Sequence, residues 1–250
     1  MIKFSNVFKS FGGRTVLEDI SFFIPDNKIT VIMGPSGCGK STVLRLMIGL
    51  MKPDSGIIEI MGNNITKISD KELFEIRKNM GMVFQAGALF DSLNVIDNVS
   101  FFLKEHKLKS KEEIDSLSLE ALKFVGLEDS AYLYPSELSG GMQRRVAIAR
   151  TIVYRPKIVL FDEPTTGLDP HTSRIIEDLI RNLKEQTGAL ILIVSHVFQT
   201  AFRLAERIIY LDNKKILFDG EPRDFVKFDN AFVQTFLGPE GKKIFFNYNT

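Results

Sequence analysis

Residues 28–50 read KITVIMGPSGCGKSTVLRLMIGL, and the order of features along this stretch decides the fold. Lys28 to Met33 is a short β-branched run, Gly34 to Gly39 a glycine-rich loop, and Ser41 to Leu50 carries a helical pattern. Strand, glycine loop and helix in that order are the setting of a phosphate-binding loop. Gly34-Pro35-Ser36-Gly37-Cys38-Gly39-Lys40-Ser41 fits the pattern GxxxxGK[ST]. Glycines let successive backbone N–H groups close around phosphate oxygens where a helix begins. Lys40 supplies a point charge for the β and γ phosphates, Ser41 offers a hydroxyl to Mg²⁺, and Thr42 follows on the first helical turn. A cradled backbone position needs no thiol, so Cys38 reads as a small filler. Its place in the loop predicts that alkylation blocks nucleotide binding and that nucleotide shields the thiol.

Outward from this loop, residues 2–24 alternate. Ile2 and Phe4, then Val16, Ile20, Phe22 and Ile24, recur at even spacing, which predicts an N-terminal antiparallel sheet. Ser69 and Glu72 form a capping box, with Leu73, Ile76 and Met80 on one stripe of the helix it starts. From about Ala86 to Pro156 strand signals fade and helical ones dominate, giving a helical lobe inserted into an α/β core. The Lys/Glu-rich stretch from Lys104 to Glu113 reads as a solvated face or loop. Strand-like runs return at Ile158 to Phe161 and Leu190 to Val194, with the amphipathic set Ile175, Ile176, Leu179 and Leu183 between them. Strand, helix, strand implies parallel pairing. Ile208 to Leu211, Asp212-Asn213 and Lys215 to Phe218 then predict a hairpin, followed by a short helix and a tail. No internal repeat is present, so the chain holds one nucleotide-binding unit.

Composition narrows the setting. With 250 residues, 44% hydrophobic and 25% charged, the chain suits one globular unit or two joined lobes. Thirty-two Lys+Arg against thirty-one Asp+Glu leave a net charge of +1, so nothing announces a nucleic-acid partner. No secretory signal stands at the start, and no apolar run approaches the roughly 18–20 residues that span a bilayer. The single cysteine makes no internal disulfide, in keeping with a reducing, cytoplasmic setting.

Ile158 to Phe161 ends in Asp162-Glu163. Behind a phosphate loop, Asp162 is placed to hold magnesium through water and Glu163 to orient or deprotonate the attacking water. A lone pair of this kind would read equally as two solvated acids at a strand end. Leu138-Ser139-Gly140-Gly141-Met142-Gln143 opens another helix. Ser139 is a natural N-cap, and Val146, Ala149 and Val153 share a stripe behind it, so backbone amides and a positive helix end face outward. An anion fits there, as does a plain flexible turn.

LSGGMQ at 138–143, 24 residues before Asp162, resembles the signature motif of ABC ATPases. Other marks stand in that family's order. Gln85 in VFQ resembles the Q-loop, Thr166-Gly167-Leu168-Asp169 the D-loop, and His196 in IVSH the switch histidine. Phe11 stands where the family stacks an aromatic on adenine; phenylalanine keeps the stacking and lacks only tyrosine's hydroxyl. The resemblance covers about residues 1–222 and implies an ABC ATPase domain with the helical subdomain at about 86–156, then a short C-terminal helix and tail at 223–250. It implies ATP and Mg²⁺ as cofactors and hydrolysis as the activity. It also implies two chains paired head to tail, in which Lys40, Ser41, Gln85, Asp162, Glu163 and His196 of one copy face Ser139, Gly140 and Gly141 of the other. Asp169 would link the two sites, and Ser41, Gln85 and Asp162 would serve the metal.

Residues 85–99, QAGALFDSLNVIDNV, resemble the ATPase of Mla-type phospholipid transport systems, which work with MCE-domain lipid-binding proteins. That likeness implies integral permease partners, an MCE-domain protein and a peripheral place on the cytoplasmic face of the inner membrane. Leu89, Phe90, Leu93 and Val95 read either as core or as permease contact. An importer motor for another small solute is one alternative. Another is a soluble iron–sulfur assembly ATPase, whose signature runs into acidic and lysine residues where this chain continues Met142-Gln143-Arg144-Arg145. Beyond Pro222, the spacing of Phe225, Phe228, Phe232 and Phe236 predicts one helical face packed on the core, with docking on the neighbouring subunit left open.

Overall fold

The structure is a computed structural model that describes residues 1–248, with side chains up to Lys243. Among the described residues ten strands form two sheets. In the first, β1 (Ile2–Phe11), β2 (Arg14–Ile24), β4 (Ser55–Ile60) and β5 (Asn63–Asn64) run antiparallel in the order β2-β1-β4-β5. Its inner face carries the predicted alternation. Ile2, Phe4, Ile20, Phe22 and Ile24 are buried, and the Phe4 and Phe22 rings stack at 4.5 Å, whereas Val16 is only half-buried because a register shift before Ile20 gives the core position to Leu17.

The second sheet has the order β10-β9-β3-β8-β7-β6. Here β3 (Ile29–Met33), β6 (Met80–Val83), β7 (Ile158–Asp162), β8 (Leu190–Ser195) and β9 (Arg207–Asp212) are parallel, and β10 (Lys215–Gly220) closes the edge antiparallel. Every residue of β3 and β8 is buried, because both faces of a parallel sheet are covered. That is why these strands read as unbroken apolar runs. Val31, Met33, Val159, Phe161, Ile191 and Ile193 join one core cluster, while Ile32, Leu160, Leu192 and Val194 join the other. The sheet therefore divides the interior into two layers of core.

Helix α1 (Lys40–Met47) follows β3, and α2 (Asp70–Arg77) precedes β6. Between β6 and β7 the chain builds α3 (Val95–Glu105), α4 (Lys111–Phe124), two 3₁₀ turns at Glu128–Ser130 and Pro135–Glu137, and α5 (Gly140–Ile152). Helix α6 (Pro170–Thr187) joins β7 to β8, α7 (Phe198–Leu204) joins β8 to β9, and α8 (Pro222–Lys227) and α9 (Ala231–Tyr248) end the described chain. No helix among the described residues is long and apolar enough to cross a membrane. The architecture is the expected α/β core with an N-terminal antiparallel sheet and a helical insertion.

Two sequence expectations need correction. The Ser69–Glu72 capping box forms, but α2 ends at Arg77, and Met80 begins β6 opposite Ile158. Met80 is buried by sheet pairing, which the helical spacing happened to mimic. Lys104 to Glu113 is the solvated stretch expected, exposed at every residue but His106, and it ends α3 and starts α4 through a second capping box at Ser110 and Glu113. His106 pins it, with its ring 5.2 Å from Phe74 and 4.5 Å from Phe102. The four tail phenylalanines do not share one helical face. Phe225 lies on α8, Phe228 follows it, and Phe232 and Phe236 lie on α9.

Phe225 is buried against Tyr210 and Phe218, Phe228 meets Phe218, and Phe236 packs 4.7 Å from Phe198 and 5.2 Å from Tyr210. Phe232 alone of the four points outward, 51% exposed. Gly238, with positive φ and followed by Pro239, kinks α9. The end of the expected tail, residues 249 and 250, lies outside the described residues.

Candidate active site

Parallel pairing decides what meets at the site. Met33 stands beside Ser195, and Asp162 beside Val194, so β3, β7 and β8 end level with one another. Gly34, Glu163 and His196 are the next residues, and all three loops leave the same edge of the sheet, where ligands of open α/β sheets bind. A cavity of about 410 Å³ there is lined by Phe11, Val16, Ser36, Gly37, Gly39, Lys40, Ser41, Thr42, Gln85, Glu163 and His196.

The phosphate loop is shaped by close packing. A side chain at Gly34 would place its Cβ 2.0 Å from the Leu211 carbonyl oxygen, so the backbone passes β9 too closely for any other residue. Gly39 is the N-cap of α1 and provides no side-chain cap, which leaves the first backbone N–H groups of the helix available to an anion. The Lys40 ammonium is almost fully buried and donates to the carbonyls of Gly34 and Pro35, 2.9 Å each. Ser41 Oγ donates to Asp162 Oδ1 at 3.4 Å. Phe11, at the tip of the β1–β2 hairpin, is 46% exposed, and the Lys9 ammonium sits 5.4 Å from its ring centre.

Glu163 gathers the polar groups. Its backbone has φ 50°, a left-handed conformation unusual for glutamate, and is held by donation of its N–H to the Val194 carbonyl at 2.9 Å. Oε1 lies 2.9 Å from His196 Nδ1 and 3.9 Å from Lys40 Nζ. Oε2 accepts from Thr166 Oγ1 at 2.8 Å and from the His196 backbone N–H at 3.4 Å. Burial, and then the neighbouring Glu163 charge, push the Asp162 carboxyl above its ordinary value, with Ser41 and nearby cations pulling the other way. Burial also raises the Cys38 thiol, only partly offset by Lys40. Cys38 is half-buried, in keeping with a filler.

Ser139, Gly140, Gly141 and Asp169 do not line this cavity. Ser139 caps α5 as expected, its Oγ accepting from the Met142 N–H at 3.3 Å. A Cβ on Gly141 would lie 2.5 Å from Thr172 Cγ2, so the second glycine is where α5 and α6 touch. Asp169 caps α6, with Oδ1 accepting from the N–H groups of His171 and Thr172 at 2.9 and 3.0 Å.

Sequence reasoning missed three side chains. Thr166 was read only as part of the D-loop, yet its hydroxyl steadies Glu163. Arg144 and Arg150, on the helix behind the signature, hold the segment after β6: Arg144 Nη1 donates to the Phe84 carbonyl at 3.0 Å, and Arg150 donates to those of Gly87 and Ala88, 2.7 Å each. Arginines at successive turns of an otherwise buried helix were the available signal. Farther along, Val95 is fully buried and Phe90 is 42% exposed, leaning on Phe101 at 4.5 Å. Of that segment, Val95 is core and Phe90 lies at the surface. A larger cavity, about 970 Å³, lies at the opposite strand ends near Ile158 and Leu190, and its Arg155 is tied to Glu120. It gathers no catalytic constellation.

Comparison with known proteins agrees with this geometry. The family model described as "ABC transporter" matches residues 17–166. The "Intermembrane phospholipid transport system ATP-binding protein MlaF" of Escherichia coli K12 is 42% identical over 226 residues, 90% of this chain and 84% of that protein. The "Probable ribonucleotide transport ATP-binding protein mkl" of Mycobacterium tuberculosis H37Rv is 40% identical over 243 residues, 97% of this chain and 67% of that one. Among solved structures, the ATP-binding cassette MJ0796, as a dimer in a post-hydrolysis state with ADP and Pi, superposes with TM-score 0.81 at 37% identity over 88% of this chain and 98% of that one. A phosphate loop, an acidic strand end and a histidine drawn to one sheet edge, with the LSGGMQ helix set apart, are thus found together with relatives of that kind: this chain belongs to the ABC transporter family and is an ATP-hydrolysing, ATP-binding subunit of it.

Proposed function

We propose that two copies of this chain pair head to tail around two ATP molecules and drive an integral membrane permease that moves phospholipid between membranes. The observation that carries the pairing is the half-built site. The cavity collects Phe11, the phosphate loop, Gln85, Glu163 and His196, while Ser139, Gly140, Gly141 and Asp169 lie outside it. An outward-facing helix start capped by Ser139 has its own anion to find, and a second copy presents one. The dimeric state of the MJ0796 cassette supports the same reading.

In this mechanism Phe11 stacks on adenine, and the backbone N–H groups of residues 36–42 hold the phosphates. Lys40 turns from the Gly34 and Pro35 carbonyls toward the β and γ phosphates. Glu163 accepts a proton from the attacking water at Oε1. His196, already 2.9 Å away, holds that carboxylate in place and closes on the γ phosphate. Ser139 and Gly141 of the second copy cover the γ phosphate from the other side, and Asp169 joins the two sites.

Magnesium suits the donors present. Among the described residues no cluster of three His, Cys, Asp or Glu side chains forms a metal cage, and magnesium needs none, because it keeps several waters and relies on a carboxylate plus substrate phosphates. Ser41 and Asp162 supply a hydroxyl and a carboxylate side by side, with Gln85 beside them on the cavity wall. The ion would neutralise charge on the phosphates.

For the partner, Phe90 and Leu93 on the segment after Gln85 offer apolar surface beside α3. The name of the MlaF relative favours phospholipid and that of mkl ribonucleotide; the GALF and LNV-x-DNV pattern at 87–99 favours the former. A place on the cytoplasmic face of the inner membrane, with a permease and an MCE-domain protein, follows from that choice. The test is purification from detergent-solubilised membranes followed by reconstitution. Co-purifying permease and MCE-domain proteins, with ATP-dependent lipid movement between vesicles, is the expected result. Recovery without membrane partners, or transport of nucleotide and no lipid, would reject it.

A further inference from the structure

His196 stands two residues before α7, a short helix that has no side-chain cap. Val197, the N-cap of α7, provides none, and the helix has only seven residues. Its orientation is set instead by buried polar groups on the face turned inward. Thr200 Oγ1 lies 2.7 Å from Thr165 Oγ1, and both residues are at least 96% buried, with 1% and 4% of their surface exposed. The Glu177 carboxylate, itself 2% exposed, lies near the Thr200 hydroxyl. Arg203 Nη1 donates to Glu177 Oε2 at 2.7 Å, and Arg181 Nη2 donates to the Arg203 carbonyl at 2.8 Å.

These contacts tie together three segments that ATP hydrolysis needs in register. Thr165 is two residues beyond Glu163, Thr200 four residues beyond His196, and Glu177 sits on α6, the helix that Asp169 caps. Beside them lies a cavity of about 330 Å³, lined among others by Thr166, Gly167, Leu168, His196 and Val197. The loops bearing Glu163, His196 and Asp169 thus have room to move on one side and a polar tether on the other. Buried, fully satisfied networks of this kind fix one arrangement, because breaking any member leaves the rest unpaired in a low dielectric.

We propose that the Thr165–Thr200 bond, with the Glu177–Arg203 pair tying α6 to α7 beside it, is a positioning strap that holds His196 at Glu163 and moves both with the Asp169 helix, so that Thr165, Thr200 and Glu177 act on hydrolysis without touching ATP. The proposal rests on the roles of His196 and Glu163 given above. Its first consequence is for kcat alone: substrate binding is made by the phosphate loop, on the far side of Glu163 from the strap.

The test is steady-state ATP hydrolysis by the full chain for Thr200→Val, Thr200→Ser, His196→Ala and the double variant Thr200→Val/His196→Ala, with the wild type as control. Thr200→Val keeps the shape and removes the hydroxyl. We expect kcat to fall about 10- to 100-fold, as for a small misplacement of a catalytic group, with KM for ATP within about threefold. Thr200→Ser should restore most of the rate, and adding Thr200→Val to His196→Ala should cost little more than His196→Ala alone. If Thr200→Val does not fold, Thr165→Val cuts the same bond from the other side and carries the same expectations. A folded Thr200→Val enzyme with wild-type kcat, a loss expressed in KM, failure of serine to rescue, or independent multiplication of the two losses would each overturn the strap. Should His196→Ala itself hydrolyse ATP at the wild-type rate, the underlying role of the histidine falls, and the strap with it.

Discussion

Glu163→Gln separates chemistry from binding and fold, and the structure bounds each effect. Glutamine keeps one acceptor oxygen, enough for the Thr166 hydroxyl and the His196 N–H that now share Oε2. Its amide then takes the place of Oε1, facing His196 Nδ1 and the Lys40 ammonium. The lost attraction to Lys40 acts across 3.9 Å, and Lys40 retains both of its carbonyl acceptors. Against that loss, removing the charge relieves Asp162, whose carboxyl is pushed up in part by Glu163. The two changes oppose each other, so stability should move by less than about 1 kcal/mol, a Tm change within about 2–4 °C. Hydrolysis has no such compensation, because an amide at that oxygen takes no proton from water. Loss of a general base costs about 10²- to 10⁴-fold, or roughly 3–5 kcal/mol of barrier, in kcat. Phosphate release under saturating ATP, nucleotide titration and sedimentation of the ATP-loaded variant measure the three quantities. The expected outcome is near-normal ATP affinity, almost no turnover and a persistent dimer. A variant turning over within tenfold of wild type, or remaining monomeric with ATP bound, would refute the reasoning.

Other expectations follow from particular contacts. Gly141→Ala drives a methyl into Thr172 and should cost about 1–3 kcal/mol of stability, whereas Gly140→Ala meets open space in the free chain and should be nearly neutral; paired melting curves decide. Arg150→Ala releases the carbonyls of Gly87 and Ala88 together with the ring of Phe90, and should lower stability by about 2 kcal/mol and Tm by roughly 4–8 °C. Its hydrolysis should lose more than its ATP affinity, since the loop it holds carries Gln85; equal losses would argue against this. Burial raises the Cys38 thiol, so less of it is thiolate near neutral pH than in a free cysteine. Alkylation should therefore be slow at pH 7, quicken as pH rises toward the raised value, block ATP binding and be prevented by ATP; a thiol labelled at the same rate with and without ATP would contradict its place in the loop.

Much of this molecule was legible because its chemistry is local. The phosphate loop, the acidic strand end, the capping box at Ser69 and the cap at Ser139 each lie within a few residues of chain, where backbone geometry and residue type settle the outcome. Strand and helix periodicity likewise carried the order of the fold. Met80 and the tail phenylalanines escaped because three- and four-residue spacing is shared by a helix stripe and by unrelated residues that reach the core from separate elements. Which groups meet Glu163 was decided only when β7 paired with β8, placing residues 33 positions apart in sequence side by side. The same holds for the threonine and glutamate strap and for the arginines of α5 that hold the Q-loop carbonyls. A sequence states which donors and acceptors a chain owns. Parallel pairing and burial choose their partners, because a polar group taken from water must be satisfied by whatever the folded chain sets beside it.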